Sequence, residues 1–289
     1  MNKITILLLA LSIIWPAYAQ QDKNVVYKVA VGEFGYTPQK TGKPSVGDVL
    51  IAVADAMSSG NTHSTQLPQY AGAVRSTVVS GISCSWRLKA TEDGLSQEEI
   101  DTDAPVLFAD GYINNISSIT KTDRGSDGKT HNYYRCLISV TVNLKNPRTG
   151  QVVDSQTFKV SEDDCSWLAS VEKAMDDARS SLNRKVCNYY GHKYPWTGSI
   201  VEGAATKKDK QKEVYVDLGS AHRMYKGAKL IVYSVKTVAG RESRSEIGTL
   251  KVEEVQGDDL SLCKVTHGGD KIKQAIDAGE TLIVTTNTK

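Results

Sequence analysis

The chain has 289 residues, of which 35 are basic and 33 acidic, for a formal charge of +2. Charges so evenly matched give no field that would hold nucleic acid or an acidic polymer as an obligate partner. Hydrophobic residues make up 40% of the chain, enough over this length for a sizeable core in at least one of two expected domains.

The start of the chain reads as an export signal. Lys3 precedes an apolar stretch over 4–15, and Ala17-Tyr18-Ala19 has the small-x-small pattern of a cleavage site. Residues 1–19 are therefore expected to be a signal peptide, with no cysteine at the junction to be acylated. Residues 20–289 hold no apolar run of about twenty residues that would cross a bilayer. The expectation is an exported protein, periplasmic or surface-associated, and soluble after cleavage near Ala19.

Residues 27–34 (YKVAVGEF) predict a short strand buried on both faces. A loop with two prolines follows. Ser45-Val46-Gly47-Asp48 then has the form of a helix cap, with Val46, Val49, Val53 and Met57 as an apolar stripe. Leu67-Pro68 opens a second helix, whose stripe Ala71, Val74, Val78 and Ile82 runs to about Cys84. A brief strand over 86–91 and an acidic loop or helical turn over 92–103 come next, then a strand over 106–119.

The clearest periodicity lies between 134 and 144. Tyr134, Cys136, Ile138, Val140, Val142 and Leu144 alternate with Arg135, Ser139, Thr141, Asn143 and Lys145, which predicts a strand with one buried and one wet face. Asn146-Pro147-Arg148-Thr149-Gly150 is a turn, and 151–160 returns as the third strand of an antiparallel meander. A helix over 166–186 presents Leu168, Val171, Met175, Ala178, Leu182 and Val186 on one face to cover that sheet. The fold class is α+β, an antiparallel meander sheet packed by helices.

Residues 188–198 (NYYGHKYPWTG) mark a boundary between an α+β domain over 20–190 and a second domain over 191–289. Beyond it, strands at 199–202, 214–218, 229–235, 247–255, 260–266 and 281–285, with a helical turn at 270–278, predict a small all-β, SH3-like barrel.

Motifs that carry catalysis are incomplete. Gly128-Lys129-Thr130 lacks the earlier glycine of a phosphate loop, Asp123 standing in its place, and no helix follows, so it is a hairpin loop. There is no Gly-x-Ser-x-Gly, His-Glu-x-x-His or Cys-x-x-Cys. Asp163-Asp164, beside Cys165, sit where the last helix of the first domain is expected to begin, and there carboxylates suit the free N–H groups. The expectation is no catalytic residue, no metal and no cofactor.

Five cysteines (Cys84, Cys136, Cys165, Cys187 and Cys263) leave at least one outside any internal pair. A helix between Cys165 and Cys187 holds them roughly 30 Å apart at about 1.5 Å per residue, too far to bond. Either one of them pairs with Cys84, Cys136 or Cys263, or all five are buried thiols.

Two stretches carry a functional reading beside a structural one. Tyr189, Tyr190, Tyr194 and Trp196, with His192 and Lys193, either stack on a sugar or anchor a partner, or pack the linker itself. Lys207, Lys208, Lys210 and Lys212 either contact an anionic membrane or wall polymer, or form a solvated hairpin tip.

Several pieces resemble a known family. Residues 27–34, the helix over 67–83, Ala109-Asp110-Gly111-Tyr112-Ile113 and the strand 140–144 with Thr149-Gly150-Gln151-Val152-Val153 resemble the CsgG/LpoB-type envelope domain. That group includes the curli secretion lipoprotein and the lipoprotein activator of a penicillin-binding protein. Val214-Tyr215-Val216-Asp217-Leu218-Gly219, Lys226-Gly227 and Ile247-Gly248-Thr249-Leu250-Lys251-Val252 look like the small barrel of the flagellar assembly protein T family. The resemblance implies a non-catalytic bacterial envelope protein that acts by protein–protein contacts in envelope assembly or in regulating wall synthesis. Its implied partners are envelope proteins, with peptidoglycan or another glycan on the linker aromatics as the alternative. The acylated cysteine of the lipoprotein members is absent, as are hairpins long enough for a transmembrane barrel.

Overall fold

The computed structural model describes residues 25–36, 63–124, 126 and 128–286. The expected signal peptide and the helix expected after Ser45 lie outside the described residues. The first body contains β1 (Tyr27–Tyr36), β2 (His63–Gln66), α1 (Ala71–Ser83), β3 (Leu88–Thr91) and α2 (Gln97–Asp101). These are followed by β4 (Val106–Arg124), β5 (Thr130–Lys145), β6 (Val152–Val160) and α3 (Val171–Lys193).

The strands lie in the order β3-β1-β4-β5-β6, with β2 added to β4. The meander β4-β5-β6 is antiparallel, but β1 runs parallel to both β3 and β4. The sheet is therefore mixed, which corrects the expectation of an antiparallel one. The cause is the connection: α1 carries the chain from β1 back to the start of β3, the crossover that parallel neighbours require. Nor is β1 buried on both faces throughout. Only Val29, Ala30 and Val31 are buried in succession, and Glu33 and Gly35 are exposed.

Both long helices lie on one face of the sheet. Val74, Val78 and Ile82 of α1 and Met175, Ala178, Leu182 and Val186 of α3 join Ile138, Val140, Val142 and Leu144 of β5 in one core. The helices approach closely at Gly81, where a Cβ would sit 2.7 Å from that of Val186. Just beyond that contact, Cys84 bonds to Cys187, closing 103 residues of chain across a Cα separation of 5.4 Å. Of the pairings left open by the sequence, this is the one formed. Cys136, Cys165 and Cys263 are free and buried, and burial pushes their thiols up to about 12, 11 and 12. Thiols held protonated in this way are poor nucleophiles.

α3 starts later than the periodicity suggests. Its N-cap is Ser170, whose side chain accepts from the Lys173 amide, because Leu168 is held instead in a backbone bridge to Tyr134 of β5. Asp163-Asp164 consequently do not cap α3, and they fall in a separate 3₁₀ turn. There Asp164 accepts from the Ser161 amide and hydroxyl, each at 2.8 Å, and pairs with Lys185 at 2.9 Å. Burial works to raise the Asp164 carboxyl, but the Lys185 ammonium and the two Ser161 donors outweigh it and hold it at about 2. A carboxyl depressed in this way stabilises the fold above its unfolded value of about 3.9 and loses that contribution as pH falls toward 2. Asp164→Asn is expected to cost about 1–2 kcal/mol at neutral pH. In urea titrations the gap to the native protein should close between about pH 4 and pH 2, and a gap that persists unchanged in acid would refute the assignment.

The second body is a closed antiparallel barrel. It contains β7 (Thr197–Lys207), β8 (Lys210–Val216), β9 (Lys229–Val238), β10 (Arg241–Val255) and β11 (Ser261–His267), then α4 (Gly269–Asp277) and β12 (Thr281–Thr286). The strand order around the barrel is β10-β11-β8-β7-β12-β9. Alternate residues Val214, Val216, Leu230, Val232, Leu250, Val252, Leu282 and Val284 fill its interior, and Ile272 of α4 packs into the same core. Closure removes the free strand edges that invite other chains to pair.

Candidate functional site

The aromatic residues singled out in the sequence go to the junction between the two bodies. α3 runs on through Tyr189 and Tyr190 to Lys193, so the connection to β7 is only 194–196. Tyr190, Tyr194 and Trp196 are buried and cannot serve as a sugar-stacking surface in this structure. Tyr189, half-buried, sets its ring edge-on to Phe158 at 5.5 Å and donates its hydroxyl to Asp154 of β6 at 2.9 Å. Asp154 also pairs with Lys193.

From this cluster an aromatic chain crosses into the barrel. The Tyr194 ring meets Tyr27 edge-on at 6.0 Å. The Arg87 guanidinium, 3% exposed, lies 5.8 Å from the Tyr27 ring and 5.5 Å from that of Trp196. Trp196 in turn meets His222 at 4.8 Å. Beside it Trp86 stacks on Tyr225 at 6.0 Å, and Arg223 donates to the Ser85 carbonyl at 3.2 Å. Residues 85–87, directly after the disulfide, thus face 222–225 of the barrel.

The face of the sheet away from the helices carries a different chemistry. The wet positions of β5 pair with polar residues on both neighbours: Asp110, Asn143 and Ser155 form one row across three strands, and Tyr112, Thr141 and Thr157 the next. In the first row Asn143 donates to Asp110 at 3.2 Å and Ser155 to Asn143 at 2.7 Å. Lys145 pairs with the same Asp110. In the second, Asn114 donates to Thr141 at 2.9 Å, and the hydroxyls of Thr141 and Thr157 lie 2.8 Å apart. Tyr112 stands on this face 53% exposed, and Val153 is exposed at the end of β6.

Local sequence explains the layout. A bulge between Ile113 and Asn115 shifts the strand by one residue, so that Ile113 and Ile116, three apart, both reach the core. Gly35 leaves room for the Tyr112 ring, whose atoms lie 3.1 Å from where a Cβ would stand. A cleft of about 350 Å³ lined by Leu95, Ile100, Phe108, Lys145 and Pro147 continues the face at one end. It is bounded by the turn whose Arg148 donates to the carbonyls of Ile100 (2.6 Å) and Ala104 (2.8 Å).

The alternation in β5 announced a wet face but not Tyr112, Asn114 or Thr157 as its members. The available signal was Asn114-Asn115 inside a strand, where asparagine is disfavoured. Among the described residues, no three His, Cys, Asp or Glu side chains converge as metal ligands. No described helix is long and apolar enough to cross a membrane. Lys207, Lys208, Lys210 and Lys212 are exposed at the β7–β8 hairpin.

Neither a protein-family model nor a curated protein sequence matches this chain. Among solved structures it is similar to the PelC dodecamer from Paraburkholderia phytofirmans, at 15% identity over 56% of this chain and 87% of that one, with a TM-score of 0.30. It is also similar to a neuraminyllactose-binding hemagglutinin homolog from Helicobacter pylori, at 12% identity over 61% and 84%, TM-score 0.27. A third is protein XCC0632 from Xanthomonas campestris, at 9% identity over 58% and 81%, TM-score 0.26. Similarity at that level transfers no function.

Proposed function

We propose that the protein is an exported, non-catalytic accessory of the bacterial envelope, acting by protein–protein contacts in envelope assembly or in regulating wall synthesis. The observation that carries the reading is the sheet face that no described helix covers, a polar surface with an exposed tyrosine among its residues. Its side chains are already ordered by hydrogen bonds to one another, so a partner would meet a surface with little side-chain freedom left to lose. Tyrosine is among the residues that anchor interfaces. The Cys84–Cys187 disulfide agrees with an oxidising compartment, hence with cleavage near Ala19 and a periplasmic or surface location. The CsgG/LpoB-type resemblance of the first body and the resemblance of the barrel to that of the flagellar assembly protein T family imply the same class of work.

Photo-crosslinkers placed at Tyr112 and at Thr157, and at Asp258 of the barrel as a control, test the reading in intact cells. The expected result is one envelope protein captured from the two sheet positions and not from the control, with capture at Thr157 lost on Tyr112→Ala. Sheet positions that capture nothing beyond the control would overturn it.

A further inference from the structure

We propose that the end of the barrel remote from the first body is a docking surface for an anionic phospholipid membrane. Strand direction sets the geometry. Neighbours in the closed antiparallel barrel alternate in direction, so β7, β9 and β11 all end at one mouth, where β8, β10 and β12 begin. The entry from α3 into β7 and the β8–β9 segment that holds His222 and Tyr225 are at the opposite mouth, against the first body. The β7–β8 and β9–β10 hairpins therefore project together, away from the junction.

Their chemistry is matched to a charged surface with an apolar interior. The β7–β8 apex carries Lys207, Lys208, Lys210 and Lys212 against Asp209 alone, a local charge of +3 where the whole chain has +2. All four lysines are exposed and make no ion pair among the described residues. Lys208 holds a φ of 56°, a left-handed turn position where glycine or asparagine is the ordinary choice. In the second arm every residue from Lys236 to Glu246 is exposed on both faces of the ribbon. It therefore buries nothing against the barrel. At its apex Val238, 61% exposed, stands with Ala239 between Lys236 and Arg241.

Lysine clusters are drawn to anionic leaflets within about a Debye length, each lysine strengthening binding about fivefold. The apolar apex decides between sources of anionic charge. A valine gains nothing from a dissolved polyanion, whereas it gains from entering the boundary between headgroups and acyl chains. The inference does not depend on the partner reading of the sheet face.

Co-sedimentation of the purified protein with vesicles of phosphatidylethanolamine and phosphatidylglycerol tests it, with pure phosphatidylcholine vesicles and soluble polyphosphate alongside. Binding to the anionic vesicles and not to the phosphatidylcholine ones is expected, weakening with salt. Replacing Lys207, Lys208, Lys210 and Lys212 by Ala together should reduce it by more than about a hundredfold. Val238→Ser, which changes no charge, should weaken vesicle binding while leaving any polyphosphate binding unaffected. All five positions are exposed, and an unchanged thermal melt would confirm that the variants fold. Equal binding to neutral vesicles, no binding at low salt, or vesicle binding that ignores Val238→Ser would overturn the proposal.

Discussion

Cys84→Ser with Cys187→Ser is expected to lower unfolding stability by about 3–5 kcal/mol. The bond closes 103 residues, and in the chain-entropy picture a loop of about that length is worth roughly 4.7 kcal/mol, before any strain is subtracted. It also holds the start of the segment whose Ser85, Trp86 and Arg87 meet the barrel, so its loss should loosen that junction as well. Reductant should reproduce the effect on the native protein and leave the double variant unchanged. The three remaining thiols are buried and held protonated, which keeps them from exchanging into new pairs. Urea titrations of both forms, with and without reductant, make the comparison. A loss under about 1 kcal/mol would mean that the two helices are already fixed by packing at Gly81.

Arg87→Ala should destabilise the protein by about 3 kcal/mol, by removing a buried charged donor and the packing of its stem. The guanidinium donates to the Val25 carbonyl at 2.9 Å and fills the space between the Tyr27 and Trp196 rings. Truncation leaves two aromatic faces without their cation and a carbonyl without its donor. Since those rings belong to different bodies, the expected signature is more than a shifted midpoint. The sheet body and the barrel should unfold in separable steps, seen as two transitions in a calorimetric scan. Arg87→Lys keeps the charge but loses the planar group that lies against both rings, so it should restore little. A single transition at the native midpoint for Arg87→Ala would show that the aromatic chain does not couple the bodies.

Residues far apart in sequence make both of these features, which is why neither was legible beforehand. The alternation over 134–144 and the stripe of α3 were legible, because each depends on neighbours within one turn or one strand repeat. The six barrel strands were also legible as short runs between turns, although the β9–β10 ribbon extends well past the apolar positions that marked it. Parallel β1 was not, since its own residues are compatible with either direction and the crossover through α1 decides. Nor was the start of α3: its apolar stripe continues upstream to Leu168, but that residue is captured by Tyr134 of β5. The open face was half legible. The polar positions of β5 were evident, while their partners depend on register, shifted for Asp110 by the bulge at Ile113 and for Ser155 and Thr157 by the one between Leu144 and Lys145. The linker aromatics show the reverse case. Their residue types suit a binding surface, but Tyr190 points into the sheet core and Trp196 into the barrel.

By itself the amino-acid sequence determined the α+β class, the meander, the covering helix and a second all-β body, because hydrophobic period is a local property of the chain. Tertiary structure alone decided which cysteines bond, which tyrosines are hidden, and which polar side chains share a surface. Those outcomes depend on contacts between residues tens of positions apart, and the free energy that selects them exists only once the chain has closed on itself.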